Sequence, residues 1–302
     1  MNSPPGAGLS PVDLLRALRP NQWTKNAVVL AAFFFAVGDR TQAVSWHLFS
    51  HAALAALLFC LVSSGIYIFN DIRDAAADRL HPTKRFRPIA AGRVPVSVAG
   101  MMAVIVMSVG LVGASRLSVP LTVVLALYIL LQLAYTLWLK RIALVDVFVI
   151  ALGFVLRAVA GGVVLKVTIS PWLLLCAFLL ALFLALCKRR HEKLLLDNAD
   201  EHRASLGGYD RQLLDQLINI VSAATIACYA IYTLWPETVA KFGTPLLAVT
   251  IPFVMFGIFR YLDLVYRHEE GGRPEKILLT DGPLMIDLAL YGGTVFLVFR
   301  FG

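Results

Sequence analysis

The chain has 302 residues, 59% hydrophobic and 15% charged, with mean hydropathy +0.77 and formal net charge +8. Soluble domains carry about 25% charged residues, so this composition excludes a large soluble core and indicates a polytopic membrane protein. The positive charge is therefore read by side of the membrane; no interleaving of basic and aromatic residues suggests nucleic acid as a partner.

Residues 1–11 are rich in Pro, Gly and Ser and read as a disordered tail, ahead of a single transmembrane domain over 12–302. The opening lacks a basic n-region followed by an apolar run, so it is not expected to be a cleaved signal peptide. Val12 to Leu18 sets Val12, Leu14, Leu15 and Leu18 to one side, as in a short interfacial helix. Arg19 to Asn26 then leads into a first span at 24–38, with Trp23 suited to the membrane boundary. Further spans are expected at 48–69, 94–115, 117–139, 143–165, 167–187, 213–235, 243–262 and 283–300. The fold class is therefore all-α, with about nine transmembrane helices and a polar cavity opening to the cytoplasm. Cys60, Cys176, Cys187 and Cys228 lie in or beside apolar runs without a C-x-x-C spacing, and are expected to be buried and reduced.

With the N-terminus in the cytoplasm, 21 of the 27 Lys/Arg fall on the inner side and five on the outer, leaving Arg157 inside a span. That bias supports a multi-pass protein of the cell (inner) membrane whose long polar loops face the cytoplasm.

The densest polar stretch is Asn70 to Arg93, which holds three Asp, six Lys/Arg and one His between two apolar runs. Asn70, Asp74 and Asp78 recur at i, i+4, i+8, and Asp71 joins Asp74 and Asp78 at i, i+3, i+7. On a helix all four share one stripe. Aligned carboxylates repel unless a cation sits among them, and oxygen-only ligands favour Mg²⁺ over zinc. Mg²⁺ held this way shares its shell with substrate phosphates. Lys84, Arg85, Arg87 and Arg93 follow, suited to phosphate oxygens. The plain alternative is a solvated acidic helix end followed by basic anchors. It accounts for the bases but not for three aligned acids.

Other polar stations are weighed in the same way. After the sixth span, Lys188 and Arg189 are suited to phosphate, and Glu192 to completing a metal shell; a basic anchor with a surface ion pair is the alternative. Arg203 and Tyr209 are weaker candidates there. Arg157 lies about three turns inside the fifth span, where a charge needs a polar cavity or a partner. Asp146, eleven residues earlier, projects from nearly the same face about 16 Å nearer the cytoplasm. One cavity would accommodate both; an interhelical ion pair is the alternative. Gly161 and Gly162 read as a close helix contact. Tyr128, Gln132 and Tyr135 form a polar-aromatic stripe, either facing substrate or packed with hydrogen-bonded hydroxyls. The loop 263–283, with Arg267, Glu275 and Asp281, is a flap or a plain connection. No Ser-His-Asp or zinc arrangement can be assembled.

Asn70-Asp71-x-x-Asp74-x-x-x-Asp78 after the second span resembles the first Asp-rich motif of the UbiA superfamily of intramembrane prenyltransferases. HPTKRFRPIAAG at 81–92, RPNQWTKN at 19–26 and LRAVAGG at 156–162 resemble its decaprenyl-phosphate phosphoribosyltransferase branch. The resemblance implies transfer of 5-phosphoribose from phosphoribosyl pyrophosphate to a polyprenyl (decaprenyl) phosphate with release of pyrophosphate, in the supply of arabinan precursors for the cell wall. It also implies Mg²⁺ on the diphosphate, carried over to Asn70, Asp71, Asp74 and Asp78. The second Asp-rich motif of typical members is replaced here by KRRHEK at 188–193, leaving Glu192 as the single acid.

On this reading Asp71, Asp74, Asp78, Lys84 and Arg85 are the catalytic set, and Asn70, Asp74 and Asp78 the metal ligands. Lys25, Arg87, Tyr128, Gln132, Tyr135, Asp146, Arg157, Lys188, Arg189 and Glu192 would bind substrate. Membrane lipids are the further partners, and a homo-oligomer is allowed. Two other readings compete: a prenyltransferase acting on an aromatic acceptor, and a transporter or lipid-binding protein. The basic run at 79–93 suits a donor with an additional 5-phosphate. Acids at helix ends rather than at mid-membrane disfavour transport.

Overall fold

The longest apolar runs become the longest helices. The computed structural model describes residues 10–38, 45–196, 208–268, 271–272 and 274–301, with only the backbone of Leu196 and Glu275. In chain order it contains α1 (Pro11–Ala17), a 3-10 helix (Pro20–Ala27), α2 (Val28–Gly38) and α3 (Trp46–Leu80). Then come α4 (Val96–Leu117), α5 (Val119–Leu137), α6 (Val145–Leu165) and α7 (Pro171–Leu196). The chain continues with α8 (Arg211–Leu234), α9 (Pro236–Phe242), α10 (Ile251–Arg267), α11 (Pro274–Thr280) and α12 (Gly282–Phe301). No strand occurs among the described residues. Of the expected tail at 1–11, residues 1–9 lie outside the described residues, and Pro11 already opens α1.

Among the described residues, eight helices are long and apolar enough to cross a membrane: α3 to α8, α10 with its leading turn, and α12. The expected first span differs. It is built from the 3-10 helix and the 11-residue α2, because Pro20, Asn21, Gln22, Thr24, Lys25 and Asn26 make its first half polar. Side-chain contacts still lay it antiparallel along α3. Trp23 Nε1 donates to Ser64 Oγ at 3.0 Å, Asn26 Nδ2 to Ser63 Oγ at 3.0 Å, and Phe33 meets Phe49 edge-on. At about 2.0 Å per 3-10 residue and 1.5 Å per α residue, the two pieces reach roughly 32 Å, about one hydrocarbon thickness. Interior partners replace the apolar surface that a lipid-facing helix would need.

α3 is the spine. Its 35 residues begin at Trp46, after Ser45, whose hydroxyl accepts from Leu48 N–H as an N-cap. At 1.5 Å per residue α3 is about 52 Å long, so its last four turns project beyond a hydrocarbon layer of about 30 Å. The acidic stripe sits on that projection. α6 joins two cores: Ala160 packs with Val29, Phe59 and Leu125, while Val147 and Ala151 pack with Phe183, Leu186, Leu214 and Ile218. Gly161 is where α2 crosses α6; a Cβ there would lie 2.9 Å from Ala32 Cβ and collide with the Val29 carbonyl oxygen. Gly161 therefore makes the close helix contact that its sequence context suggests. Large apolar side chains such as Ile105, Leu130 and Phe296 remain on the outside, as lipid requires.

Candidate active site

The projecting end of α3 carries its four polar residues on an arc about 100° wide, at 100° per residue. Different neighbours meet the two edges of that arc. On one edge Asp71 and Asp78 are buried and held by arginines. Arg19 binds Asp71 with both arms of its guanidinium, Nε to Oδ2 at 3.0 Å. Arg87 Nη1 bridges Asp71 Oδ1 at 3.1 Å and Asp78 Oδ2 at 2.5 Å. Arg19 reaches its partner from a left-handed backbone (φ 53°) that turns the chain from α1 into the 3-10 helix. On the other edge Asn70 Nδ2 donates to Asp74 Oδ2 at 3.0 Å, and Asp74 Oδ1 accepts from Lys140 Nζ at 2.6 Å. The Asp74 side chain is 33% exposed, against 4% and 6% for Asp71 and Asp78.

The loop after α3 folds back over this end. Arg79 Nε donates to the Ala90 carbonyl at 3.1 Å, and Arg93 ties the loop to α1 through Asp13 at 3.0 Å. Lys84 and Arg85 sit exposed on a 3-10 turn, with Arg85 over the Phe86 ring. Lys25 is half-buried in the 3-10 helix preceding α2.

A second charged centre lies where α6 meets α7. Asp146, fully buried, accepts from Arg189 Nε at 2.7 Å, Tyr209 Oη at 2.6 Å and its neighbour Val147 N–H at 2.9 Å. The Tyr209 oxygen accepts from Leu144 N–H at 2.7 Å, and Leu144 takes a positive φ of 67° to present it. Burial, then the hydrogen bond to Asp146, pushes the Tyr209 hydroxyl well above the usual tyrosine range, so it donates as a neutral group. Arg189 also binds Glu192, so Glu192 pairs at i+3 rather than with Lys188 at i−4. Lys188 is half-buried one residue before Arg189. Along α5, Thr136 Oγ1 donates to Asn70 Oδ1 at 3.4 Å.

Arg157 departs from both sequence readings. It shares no cavity with Asp146, which Arg189 has claimed, and no carboxylate among the described residues pairs with it. Its guanidinium donates to Asn26 Oδ1 at 2.8 Å, the Gly153 carbonyl at 2.9 Å and Tyr128 Oη at 2.9 Å. Phe59, Tyr128 and Phe154 surround it. Tyr128 is therefore a buried structural partner, and Gln132 lies beside it against Gly153. Asp281 holds Arg260 at 2.7 Å and caps α12 through Leu284 N–H, while the backbone at Gly271 packs on the end of α7. That part of 263–283 is thus built into the bundle. Arg203 lies outside the described residues.

The residues from 27 to 279 match the model of the UbiA prenyltransferase family. The chain belongs to this family. It is 38% identical over 298 residues to the decaprenyl-phosphate phosphoribosyltransferase of Mycolicibacterium smegmatis, covering 93% of this chain and 91% of that protein. It is 36% identical to the protein of the same name from Mycobacterium tuberculosis, covering 96% and 95%. Among solved structures it resembles a UbiA homolog from Archaeoglobus fulgidus bound to GPP and Mg²⁺. The TM-score there is 0.73 at 21% identity, over 95% of this chain and 99% of that one.

Within this UbiA fold the expected metal set Asn70, Asp74 and Asp78 is divided. Among the described residues no three His, Cys, Asp or Glu converge as metal ligands. Asp78 is turned to Arg87, whereas Asn70 and Asp74 share an accessible edge of hard oxygen atoms, the donor type that fits Mg²⁺. Arg19, Thr136, Lys140 and Tyr67 join the site without having been singled out in sequence; Tyr67 lies under Arg19, 5.6 Å from its guanidinium. At this end the charged side chains bind one another. A cavity of about 540 Å³ lies at the opposite end, lined by residues including Phe35, Ala158, Trp172, Tyr232 and Phe242.

Proposed function

We propose that this UbiA-family protein transfers 5-phosphoribose from phosphoribosyl pyrophosphate to a polyprenyl phosphate, releasing pyrophosphate, with Mg²⁺ bound. The observation that carries this reading is the oxygen edge Asn70–Asp74 with Lys140 on Asp74, beside an Arg87 guanidinium held by Asp71 and Asp78, in a chain 38% identical to a named phosphoribosyltransferase. The product would supply arabinan precursors for the cell wall. The site would face the cytoplasm, where the excess of Lys/Arg lies.

Asn70 and Asp74 would hold the metal. Mg²⁺, when bound, supplies charge neutralisation for a departing diphosphate. Asp71 and Asp78 hold Arg87 in place, so its remaining N–H groups can meet phosphate. Lys25, Lys84 and Arg85 add positive charge on the loop side, and Lys188 and Arg189 on the α7 side. Asp146 serves this reading as the anchor of Arg189 rather than as a substrate ligand, since it is fully buried. The acceptor phosphate is already ionised near pH 7, so no general base is required. Direct attack opposite the diphosphate inverts the anomeric carbon. The protein's main task is to bring two anions together and hold them in line.

The test is a transfer assay on purified, detergent-solubilised protein with radiolabelled phosphoribosyl pyrophosphate, a polyprenyl phosphate and Mg²⁺, with an EDTA arm. Label is expected in the organic phase only with Mg²⁺. No transfer from folded protein, together with turnover of a prenyl diphosphate and an aromatic acceptor, would replace this reading with an aromatic prenyltransferase.

A further inference from the structure

Lys140 stands beside Arg141 between α5 and α6, and the structure gives it a specific partner. It lies in the 3-10 turn Leu139–Arg141 between α5 and α6, and its side chain is only 17% exposed. Its ammonium reaches across to α3 and binds Asp74 Oδ1 at 2.6 Å, while Asn70 Nδ2 donates to the other oxygen, Oδ2, at 3.0 Å. Asp71 and Asp78 each have a guanidinium, so Lys140 is the counter-ion of the one accessible carboxylate of the stripe.

Two cations cannot share one carboxylate oxygen without repelling each other. An ammonium on a flexible stem is the partner that can leave: it is a single point charge, unlike the two-armed Arg19 on Asp71. We propose that Lys140 is a resident counter-ion which gives way when a divalent cation binds at Asn70–Asp74, and then turns to an oxygen of the diphosphate that arrives with the metal. Lys140 thus keeps Asp74 neutralised in the metal-free protein and supplies its charge to the substrate afterwards. This extends the proposed function and rests on Asn70–Asp74 as the metal edge.

The exchange predicts two effects of opposite sign for K140M. Removing the competing ammonium should tighten Mg²⁺ binding to the full-length, detergent-solubilised protein by about tenfold. The same change should weaken the binding of inorganic pyrophosphate at saturating Mg²⁺ by about tenfold. K140R, whose two-armed guanidinium would hold Asp74 as Arg19 holds Asp71, should bind Mg²⁺ more weakly than wild type. Titration calorimetry with MgCl₂ alone, then with pyrophosphate, reads both effects without turnover, and size-exclusion profiles confirm folding. A loss of local structure would weaken both ligands. D74N separates the two levels of inference. If D74N binds Mg²⁺ as wild type does, the metal edge is wrong and this proposal falls with it. If D74N loses Mg²⁺ while K140M binds it no tighter than wild type, the metal edge stands and the counter-ion exchange is refuted.

Discussion

Removing Asp146 should unfold the protein from its α6–α7 seam. The carboxylate is fully buried and Arg189 is 2% exposed, so D146A leaves a guanidinium without its best partner in a site that water does not reach. Breaking such a pair from one side costs about 3–5 kcal/mol. Arg189 keeps Glu192, whose side chain is 26% exposed, which places the expected loss near ~3 kcal/mol. The Tyr209 hydroxyl also loses its acceptor, adding about 1 kcal/mol. R189M from the other side should cost a similar amount. In D146A/R189M neither charge remains, and replacing both ends of a buried pair by apolar groups is often close to neutral. The double variant should therefore be no less stable than either single variant, which makes the coupling at least as large as one single loss, about 4 kcal/mol. Reversible denaturant unfolding in micelles, followed by tryptophan fluorescence, measures the cycle. D146A as stable as wild type, or strictly additive losses in the double variant, would refute the pair as the seam's organising contact.

Asp74→Ala should abolish transfer while leaving the melting temperature within a degree or two, because Asp74 is partly exposed at a helix end; turnover retained in that variant would remove it from the metal edge. Gly161→Ala should destabilise by about 1–3 kcal/mol through overpacking of α2 on α6, read by the same unfolding curves. Arg157→Lys keeps the charge but cannot supply three hydrogen bonds in a planar fork to Asn26, Gly153 and Tyr128. A loss of about 1.5–3 kcal/mol is expected, and a curve overlying wild type would show that charge alone suffices.

The helical spans were legible because hydrocarbon imposes length and apolarity on each of them separately. The acidic stripe was legible because one helix carries it, and the helical period places residues 70, 71, 74 and 78 together. What divides the stripe was not. Arg19, Arg87 and Lys140 approach from three other segments; Arg19 and Lys140 look like ordinary basic anchors at span ends, and Arg87 reads as a phosphate ligand rather than as a partner of the stripe. Asp146 and Arg189 are 43 positions apart, and Arg157 and Asn26 are 131 apart. No local pattern announces such pairs. The expected first crossing at 24–38 is not among the eight spanning helices: α2 covers only Val28–Gly38, and the polar stretch before it is 3-10, held by Ser63, Ser64 and Arg157. Tyr128 was placed on the right face, and the structure chose its packed, hydrogen-bonded alternative.

The partnership of Asn26 with Arg157 also sets an order of assembly during synthesis. A segment opening with Pro, Asn, Gln, Thr and Lys is a poor substrate for insertion on its own, since such residues oppose transfer into the bilayer. Ser63 and Ser64 leave the ribosome within 41 positions of Trp23 and 37 of Asn26, but Arg157 follows Asn26 by 131. At about 5–20 residues per second that interval is roughly ten seconds. During it the N-terminal crossing must wait beside α3, half-dressed in polar groups, until α6 arrives to fasten it. Nascent chains carrying Asn26→Cys as their single cysteine should therefore label with aqueous thiol reagents when stalled before residue 157, and chains released after α6 should be protected.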